Sequence, residues 1–228
     1  RLIKVYPNSE YVDDAKYKLG FSYFKLSPKY SLDQEYTLKA IREFQEFLEE
    51  FRSSALVPVV EQQLQECRNK LALKVFAAAE QYRRMQYWEA AIIYYNMVLD
   101  QYYDSIYAPK AQFYLALFHA EGFIPPTDYP MAYYWARRSA LRNDDDGQYL
   151  LATLYEKGLG MAKPNKSQAA TWYLLASTAK TPTGRLAEEA DQRMKRGLDF
   201  ADYAAARTRA ENFIAYPPAY YKDIDAFF

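Results

Sequence analysis

The chain has 228 residues, of which half are apolar and 18% aromatic, so it can bury a sizeable core. Basic and acidic side chains balance at 29 each, which leaves no positive excess to attract a nucleic-acid backbone. A single cysteine (Cys67) and a single histidine (His119) exclude an intrachain disulfide and a cysteine–histidine metal cluster. We expect Cys67 to be a small buried hydrophobe and His119 to pack between helices.

The first ten residues indicate the end of one helix and the turn into the next. Pro7 cannot continue a helix and disfavours helical backbone in the residue before it. Ser9 is then a favourable N-cap for the helix that follows. Because this first motif is half a helical hairpin without its partner, we expect a further segment upstream, with any signal peptide or lipid anchor in it.

Three helices follow, over about residues 10–26, 33–51 and 54–85. The linker SPKYSLD separates the first two. Ser53 or Ser54 can cap the third helix, and Pro58 is tolerated in its first turn because a missing N–H costs nothing there. In the second helix, three apolar residues at helical spacing predict the face that packs on the partner helix: Ala40, Phe44 and Phe47.

Residues 71–104, LALKVFAAAEQYRRMQYWEAAIIYYNMVLDQYYD, form the most regular unit of the chain, two amphipathic helices joined by a tight turn. Small residues recur where the two helices must approach each other: Ala78, Ala79 and Ala91. Larger residues stand where the gaps between the helices must be filled: Tyr82, Tyr95 and Val98. This pattern over 34 residues is typical of the tetratricopeptide (TPR) repeat. Such a hairpin cannot bury its apolar face alone, so neighbouring hairpins must stack on it.

Beyond this unit the repeat changes character. The segments at 111–122 and 147–158 align at a period of 36 residues, and each is followed by a loop and a second helix, at 131–140 and 168–177. Glycines at the helix ends predict C-caps with positive φ: Gly122, Gly158 and Gly160. Plausible N-caps are Asp146, and Asn165 or Ser167. The run of three aspartates at 144–146 favours capping over a cation site, because no EF-hand spacing follows it.

After Pro182 two charge-rich helices are predicted, over about residues 185–197 and 200–215. A polar pair of this kind would close the exposed end of a repeat array. The tail, YPPAYYKDIDAFF, could pack back on the last helix or serve as a docking segment.

The motifs of common enzymes are missing from the sequence. It holds no glycine-rich phosphate loop, GxSxG, HExxH or CxxC pattern. Its paired carboxylates stand on predicted solvent faces, whereas acid–base catalysis needs them in a pocket. We therefore predict a protein that is not an enzyme and that has no catalytic residues, no cofactor and no metal.

The first 120 residues resemble the BamD family, periplasmic lipoproteins of the outer-membrane β-barrel assembly machine (BAM complex). The segment VYPNSEYVDDAKYKLGFSYFKL, the long linker before AIREFQEFLEEF and the long helix entering the central unit carry this resemblance. The chain departs from the family at Arg52 and Tyr103, where proline is usual. The resemblance implies a scaffold at the periplasmic face of the outer membrane that binds the periplasmic domains of the barrel insertase and unfolded barrel segments.

In the TPR register the first helix of each pair would line a concave groove. Eight side chains are expected to project into it and bind partners: Asp14, Tyr17, Phe21, Phe24, Phe76, Glu80, Arg83 and Arg84. Aromatic rings supply contact area and arginines pair with carboxylates. Alternatively, Tyr17 and Phe21 simply pack against the neighbouring helix pair.

Residues 108–180 are similar instead to Sel1-like repeats, a TPR variant. The matching positions are Ala152, Leu154, Tyr155, Gly158, Gly160, Ala169, Trp172 and Tyr173. We therefore predict an all-α, right-handed TPR-type solenoid of stacked antiparallel helix pairs. It divides into BamD-like repeats (1–107), Sel1-like repeats (108–180), and capping helices with a tail (181–228). Two alternatives to the BamD-like role stay open: a designed or hybrid repeat protein without a native ligand, and a Sel1-like adaptor in signalling or export.

Overall fold

The computed structural model describes residues 11–123 and 125–216. Helix makes up 75% of the residues in these two ranges, and no strand occurs in them. The predicted all-α fold is therefore confirmed. The predicted turn at Pro7, the cap at Ser9 and the tail from residue 217 onward lie outside the described residues.

Ten helices follow one another in the described part of the chain. They are α1 Val12–Leu26, α2 Glu35–Glu50, α3 Val57–Arg84, α4 Trp88–Gln101, α5 Ala108–Glu121, α6 Tyr129–Leu141, α7 Asp145–Lys157, α8 Lys166–Ser177, α9 Pro182–Gly197 and α10 Phe200–Glu211. Each helix predicted from residue 10 onward is present, with ends that shift by a few residues, whereas the helix predicted to end before Pro7 lies outside the described residues. The largest shift is at α10, which ends at Glu211 rather than near residue 215.

The chain divides into two compact units, residues 1–77 and 78–228. The predicted division at residues 107 and 180 concerns the type of repeat and stays a prediction. In unit 1, α1 and α2 form a hairpin that is tightly packed at Gly20, where a Cβ would lie 2.8 Å from the Phe44 ring. The fully buried core of this unit contains the predicted face of α2 and two residues of α3: Ala40, Phe44, Phe47, Val60 and Cys67.

The environment of Cys67 matches the expectation of a buried hydrophobe. Its side chain has no exposed surface. Burial raises the pKa of the thiol to about 11, so the thiol stays protonated at neutral pH. A protonated, buried thiol is a poor nucleophile and a poor metal ligand.

Unit 2 begins with the end of α3 and with α4, the second half of the central repeat. Ala79 and Ala91 have no exposed surface, as expected for the positions where the two helices approach. Tyr95 is equally buried, and the Tyr82 ring stacks on that of Tyr94 with centroids 5.1 Å apart. The predicted alternation of small and large contacts is thus present.

The remaining helices of unit 2 pack as hairpins around a shared, alanine-rich core. The predicted glycine positions all have positive φ: Gly122 at 65°, Gly158 at 71° and Gly160 at 77°. Asn165 caps α8, since its side chain accepts from the Gln168 N–H at 3.0 Å. Asp146 is not the cap of α7: the helix begins earlier, and Asp144 accepts from the Gly147 N–H at 2.8 Å.

The pair α9–α10 continues the stacking. The Arg193 guanidinium on α9 pairs with Glu156 on α7 at 2.8 Å, and α10 packs on α8. The pair is rich in charged residues, as predicted, and carries one strongly exposed apolar residue, Phe200, at 91%.

The buried alanines of the central repeat provide a test of the helix register. We expect Ala79→Trp or Ala91→Trp to lower the free energy of unfolding by about 1–3 kcal/mol, because neither site has room for a larger side chain. Urea unfolding followed by circular dichroism measures this. Ala205→Trp, at an exposed position of α10, is the control that should change little. Equal stability of all three variants would contradict the packing described.

Candidate partner-binding surfaces

In unit 1, three of the predicted partner-binding residues form a run of rings along α1. Tyr17 stacks on Phe21 with centroids 5.7 Å apart, and Phe21 stacks on Phe24 at 6.1 Å. The spacings of four and three residues place all three on one face of the helix. All three are half-buried, so part of each ring faces solvent.

The two ends of this run are also attached to the interior of unit 1. The Tyr17 hydroxyl accepts a hydrogen bond from Gln63 Nε2 at 3.1 Å. The Phe24 ring lies 6.3 Å from that of Phe44 in the core. Phe21 lies between them, and the Lys25 ammonium sits 5.0 Å from its centroid. Tyr17 and Phe24 therefore have a packing role, whereas Phe21 is the central ring of the solvent-facing run.

The other two predicted residues of unit 1 differ in exposure. Asp14 is exposed in the first turn of α1, where a carboxylate is favoured by the helix dipole. Phe76 on α3 is half-buried.

In unit 2, Glu80 and Arg83 belong to an internal network. Arg83 Nε and Nη2 donate to the two carboxylate oxygens of Glu80 at 3.0 and 2.8 Å. The Tyr95 hydroxyl donates to the same carboxylate. The Arg83 guanidinium lies 4.7 Å from the centroid of the Tyr114 ring, which stacks on Tyr95 at 5.1 Å.

These contacts decide the charge states in the network. Burial opposes ionisation of Glu80, but the hydrogen bonds from Arg83 and Tyr95 outweigh it and hold its pKa below the usual value. The hydrogen bonds to Glu80 raise the pKa of Arg83 further above its already high value. Both groups are therefore charged at neutral pH and satisfied within the protein, while Arg84, one residue on, is exposed.

A second network, which the sequence did not suggest, surrounds the three aspartates. The carboxylates of Asp144, Asp145 and Asp146 offer oxygens within 4.8 Å of one another. The Lys110 ammonium lies 3.0 Å from Asp144 and 2.6 Å from Asp146, so a side-chain cation already pairs with two of the three. The Thr183 hydroxyl donates to Asp146 as well. The cluster thus caps α7 and joins neighbouring hairpins.

Sequence reasoning also missed a cavity of about 490 Å³ in unit 2. Its walls come from the end of α3, the start of α4 and the segment after α5. They are formed by Tyr82, Gln86, Tyr87, Trp88, Glu89, Ala90, Phe123 and Pro125. The Trp88 and Phe123 rings stack with centroids 4.4 Å apart. The run of aromatic and polar residues at 86–89 was the only signal in the sequence.

No helix in the two described ranges combines the length and the apolar character that a membrane crossing requires.

The Glu80 network gives a pH-dependent prediction. A carboxyl whose pKa is lower in the folded state stabilises the protein above its unfolded pKa, and that stabilisation is lost as the pH falls through the folded pKa. We expect Glu80→Gln to lower the free energy of unfolding by about 1–3 kcal/mol at pH 7. The difference from the native chain should shrink below about pH 4.

Urea unfolding at a series of pH values measures this difference. Glu121→Gln, at an exposed position of α5, is the control and should show no such dependence. A Glu80→Gln effect that is constant from pH 7 to the acid range would contradict the network.

Comparison with known families and structures agrees with this architecture. The family model described as "Outer membrane lipoprotein" (YfiO) matches residues 1–121. The Sel1 repeat model matches residues 109–144 and 145–180. A comparison with curated proteins gave no match.

Among the solved structures with a similar fold is that of c5321, a protective antigen present in uropathogenic Escherichia coli strains displaying an SLR fold. It shares 18% identity with this chain at a TM-score of 0.56, over 95% of this chain and 48% of that one. The chain thus spans about half the length of that protein. The similarity shows the fold alone, and it agrees with the predicted class of α-solenoid.

Proteins of the YfiO family and of the Sel1 repeat type are non-catalytic scaffolds for protein interaction. The chain is thus a repeat scaffold for protein interaction, with two Sel1 repeats over residues 109–180. Because the first family model covers more than half of the sequence, the chain belongs to the YfiO family of outer membrane lipoproteins.

Proposed function

We propose that this protein is a non-enzymatic scaffold of the outer-membrane β-barrel assembly machinery. It acts at the periplasmic face of the outer membrane, held there by a lipid anchor. Its partners are the periplasmic domains of the barrel insertase and unfolded barrel segments. The observation that carries this proposal is the match of residues 1–121 to a family of outer membrane lipoproteins.

The ring face of α1 supplies the binding chemistry in unit 1. Tyr17, Phe21 and Phe24 form a continuous, half-buried aromatic strip. Partly exposed rings that are already held in place lose little entropy on binding and offer large contact areas, as in the strongest contacts of protein interfaces. Phe76 in unit 1 and, separately, Arg84 in unit 2 stay proposed partner-binding residues, whereas Glu80 and Arg83 are already paired with each other.

An unfolded barrel segment is a suitable occupant of the aromatic strip. Barrel strands alternate apolar and polar side chains. The apolar ones can pack on the rings, while polar ones can reach Asp14 and Lys25, which are both exposed on α1.

A second candidate function rests on residues 109–180. The two Sel1 repeats there, and the similarity to a protein with an SLR fold, support an adaptor role in signalling or export. The two functions predict different partners: insertase domains for the first, and other cytoplasmic or envelope proteins for the second.

Binding to purified, soluble periplasmic domains of the barrel insertase tests the proposal. The native chain should retain these domains in a pull-down and in surface-based kinetic measurements. Phe21→Ala should weaken binding about tenfold or more, because it removes the central ring of the strip. The expected loss is in the dissociation rate.

The matched control is Leu19→Ala. It removes an apolar side chain of the same helix that is 38% exposed and lies on the opposite face. We expect it to bind within about twofold of the native chain. Retention no greater than that of an unrelated TPR protein would count against the proposed function, and equal losses in both variants would count against the strip.

A further inference from the structure

The cavity between α3, α4 and the segment after α5 has the chemistry of a site for a planar cation. Four aromatic side chains stand in its walls: Tyr82, Tyr87, Trp88 and Phe123. Tyr87 is 57% exposed and Phe123 is 39% exposed, so their rings are open to an incoming ligand. Faces of aromatic rings carry negative partial charge and attract cations.

The walls of this cavity are held firmly. Trp88 stacks on Phe123 with an interplanar angle of 24°, and it meets the buried ring of Phe118 edge-on with centroids 5.7 Å apart. Tyr82 is stacked on Tyr94. A pocket that is formed before binding does not lose affinity to ordering its own side chains.

The charge of the lining is negative. Glu89 is its one acidic residue, and the set includes no Lys, Arg or His among the described residues. Glu89 lies in the first turn of α4. Of the two basic residues that precede it, Arg83 is bound to Glu80, and Arg84 is exposed and lies outside the lining.

We propose that this cavity binds the arginine side chain of an extended partner polypeptide. A guanidinium is planar, weakly hydrated and always charged, so it can stack on the exposed ring of Tyr87 beside Trp88 while it pairs with Glu89. The Gln86 amide oxygen is a further acceptor in the lining. The inference rests on the proposed function in one respect, because it takes the occupant to be a protein partner.

Other occupants fit the lining less well. An apolar side chain would make no ion pair with Glu89 and no cation–π contact with the rings. A lysine ammonium is more strongly hydrated than a guanidinium and cannot stack. The volume of about 490 Å³ lies within the range of small-ligand sites and leaves room for the backbone that carries the arginine.

The test uses two synthetic peptides with the full chain. One is acetyl-Gly-Ser-Arg-Ser-Gly-amide, and the other has citrulline in place of arginine, which keeps the shape but removes the charge. The readout is the indole N–H resonance of Trp88 in ¹⁵N-edited NMR spectra, assigned with Trp88→Phe. We expect the arginine peptide to shift this resonance with an affinity about tenfold higher than that of the citrulline peptide.

Two variants and one control locate the interaction. Glu89→Gln should weaken binding of the arginine peptide about fivefold and reduce its dependence on salt. Tyr87→Ala, at an exposed position, should weaken binding by removing one ring. Asp100→Asn removes an exposed carboxylate from the same helix outside the lining and should leave binding unchanged.

Each outcome bears on the proposal. The proposal would be overturned if the Trp88 resonance did not shift, or if it shifted equally with the two peptides. It would also be overturned if Glu89→Gln and Asp100→Asn weakened binding equally. Because the titration contains no insertase domain, its result is independent of the proposed function. A chain that binds the arginine peptide but not the insertase domains would refute the scaffold role alone.

Discussion

Close approach between helices is the constraint on which the structure depends. Each hairpin buries its apolar face only against a neighbour, so the contacting positions must be small. The hairpins after residue 108 use fully buried alanines at these positions: Ala132, Ala136, Ala140, Ala169, Ala170 and Ala176. Gly147 shows how tight the fit is, since a Cβ there would lie 2.2 Å from the Ser139 hydroxyl oxygen. Larger side chains fill the remaining gaps only where these small residues allow it.

Polar pairs between neighbouring hairpins add specificity to this apolar stacking. Lys110 pairs with Asp146, and Glu156 pairs with Arg193, each across about one repeat length. Alanine contacts alone would tolerate sliding of one hairpin against the next. An ion pair favours one register, because a shift would separate its charges. In this protein each of these pairs joins one turn of a helix to one turn in the next hairpin.

The sequence was sufficient to predict the helices, but it was not sufficient to predict the contacts between them. Helical periodicity and glycine caps predicted the helices because those signals are local. The cap of α7 was misassigned to Asp146 because three consecutive aspartates offer the same local signal. In the structure the helix begins at Asp145, so the cap is Asp144, and Lys110, one repeat away, pairs with both Asp144 and Asp146.

The candidate sites show the same difference between local signals, which the sequence reveals, and contacts between distant residues, which it does not. A run of rings on one face of α1 follows from spacing alone, but the internal roles of Glu80 and Arg83 do not. Those roles require Tyr95 and Tyr114, which come from two other helices. The cavity is harder still to predict, because Trp88 and Phe123 are 35 positions apart and meet only once α4 and α5 have packed.

The helix α5 has a consequence for how such proteins are assembled. Both family models include its residues 109–121, yet the helix runs without interruption from Ala108 to Glu121. One helix therefore presents a TPR-type surface to the hairpin before it and a Sel1-type surface to the hairpin after it. Genetic exchange between the two kinds of gene needs no new linker when the crossover falls in such a shared segment. Arrays that combine the two repeat types can then grow by recombination, because the shared helix already fits the hairpins on both sides.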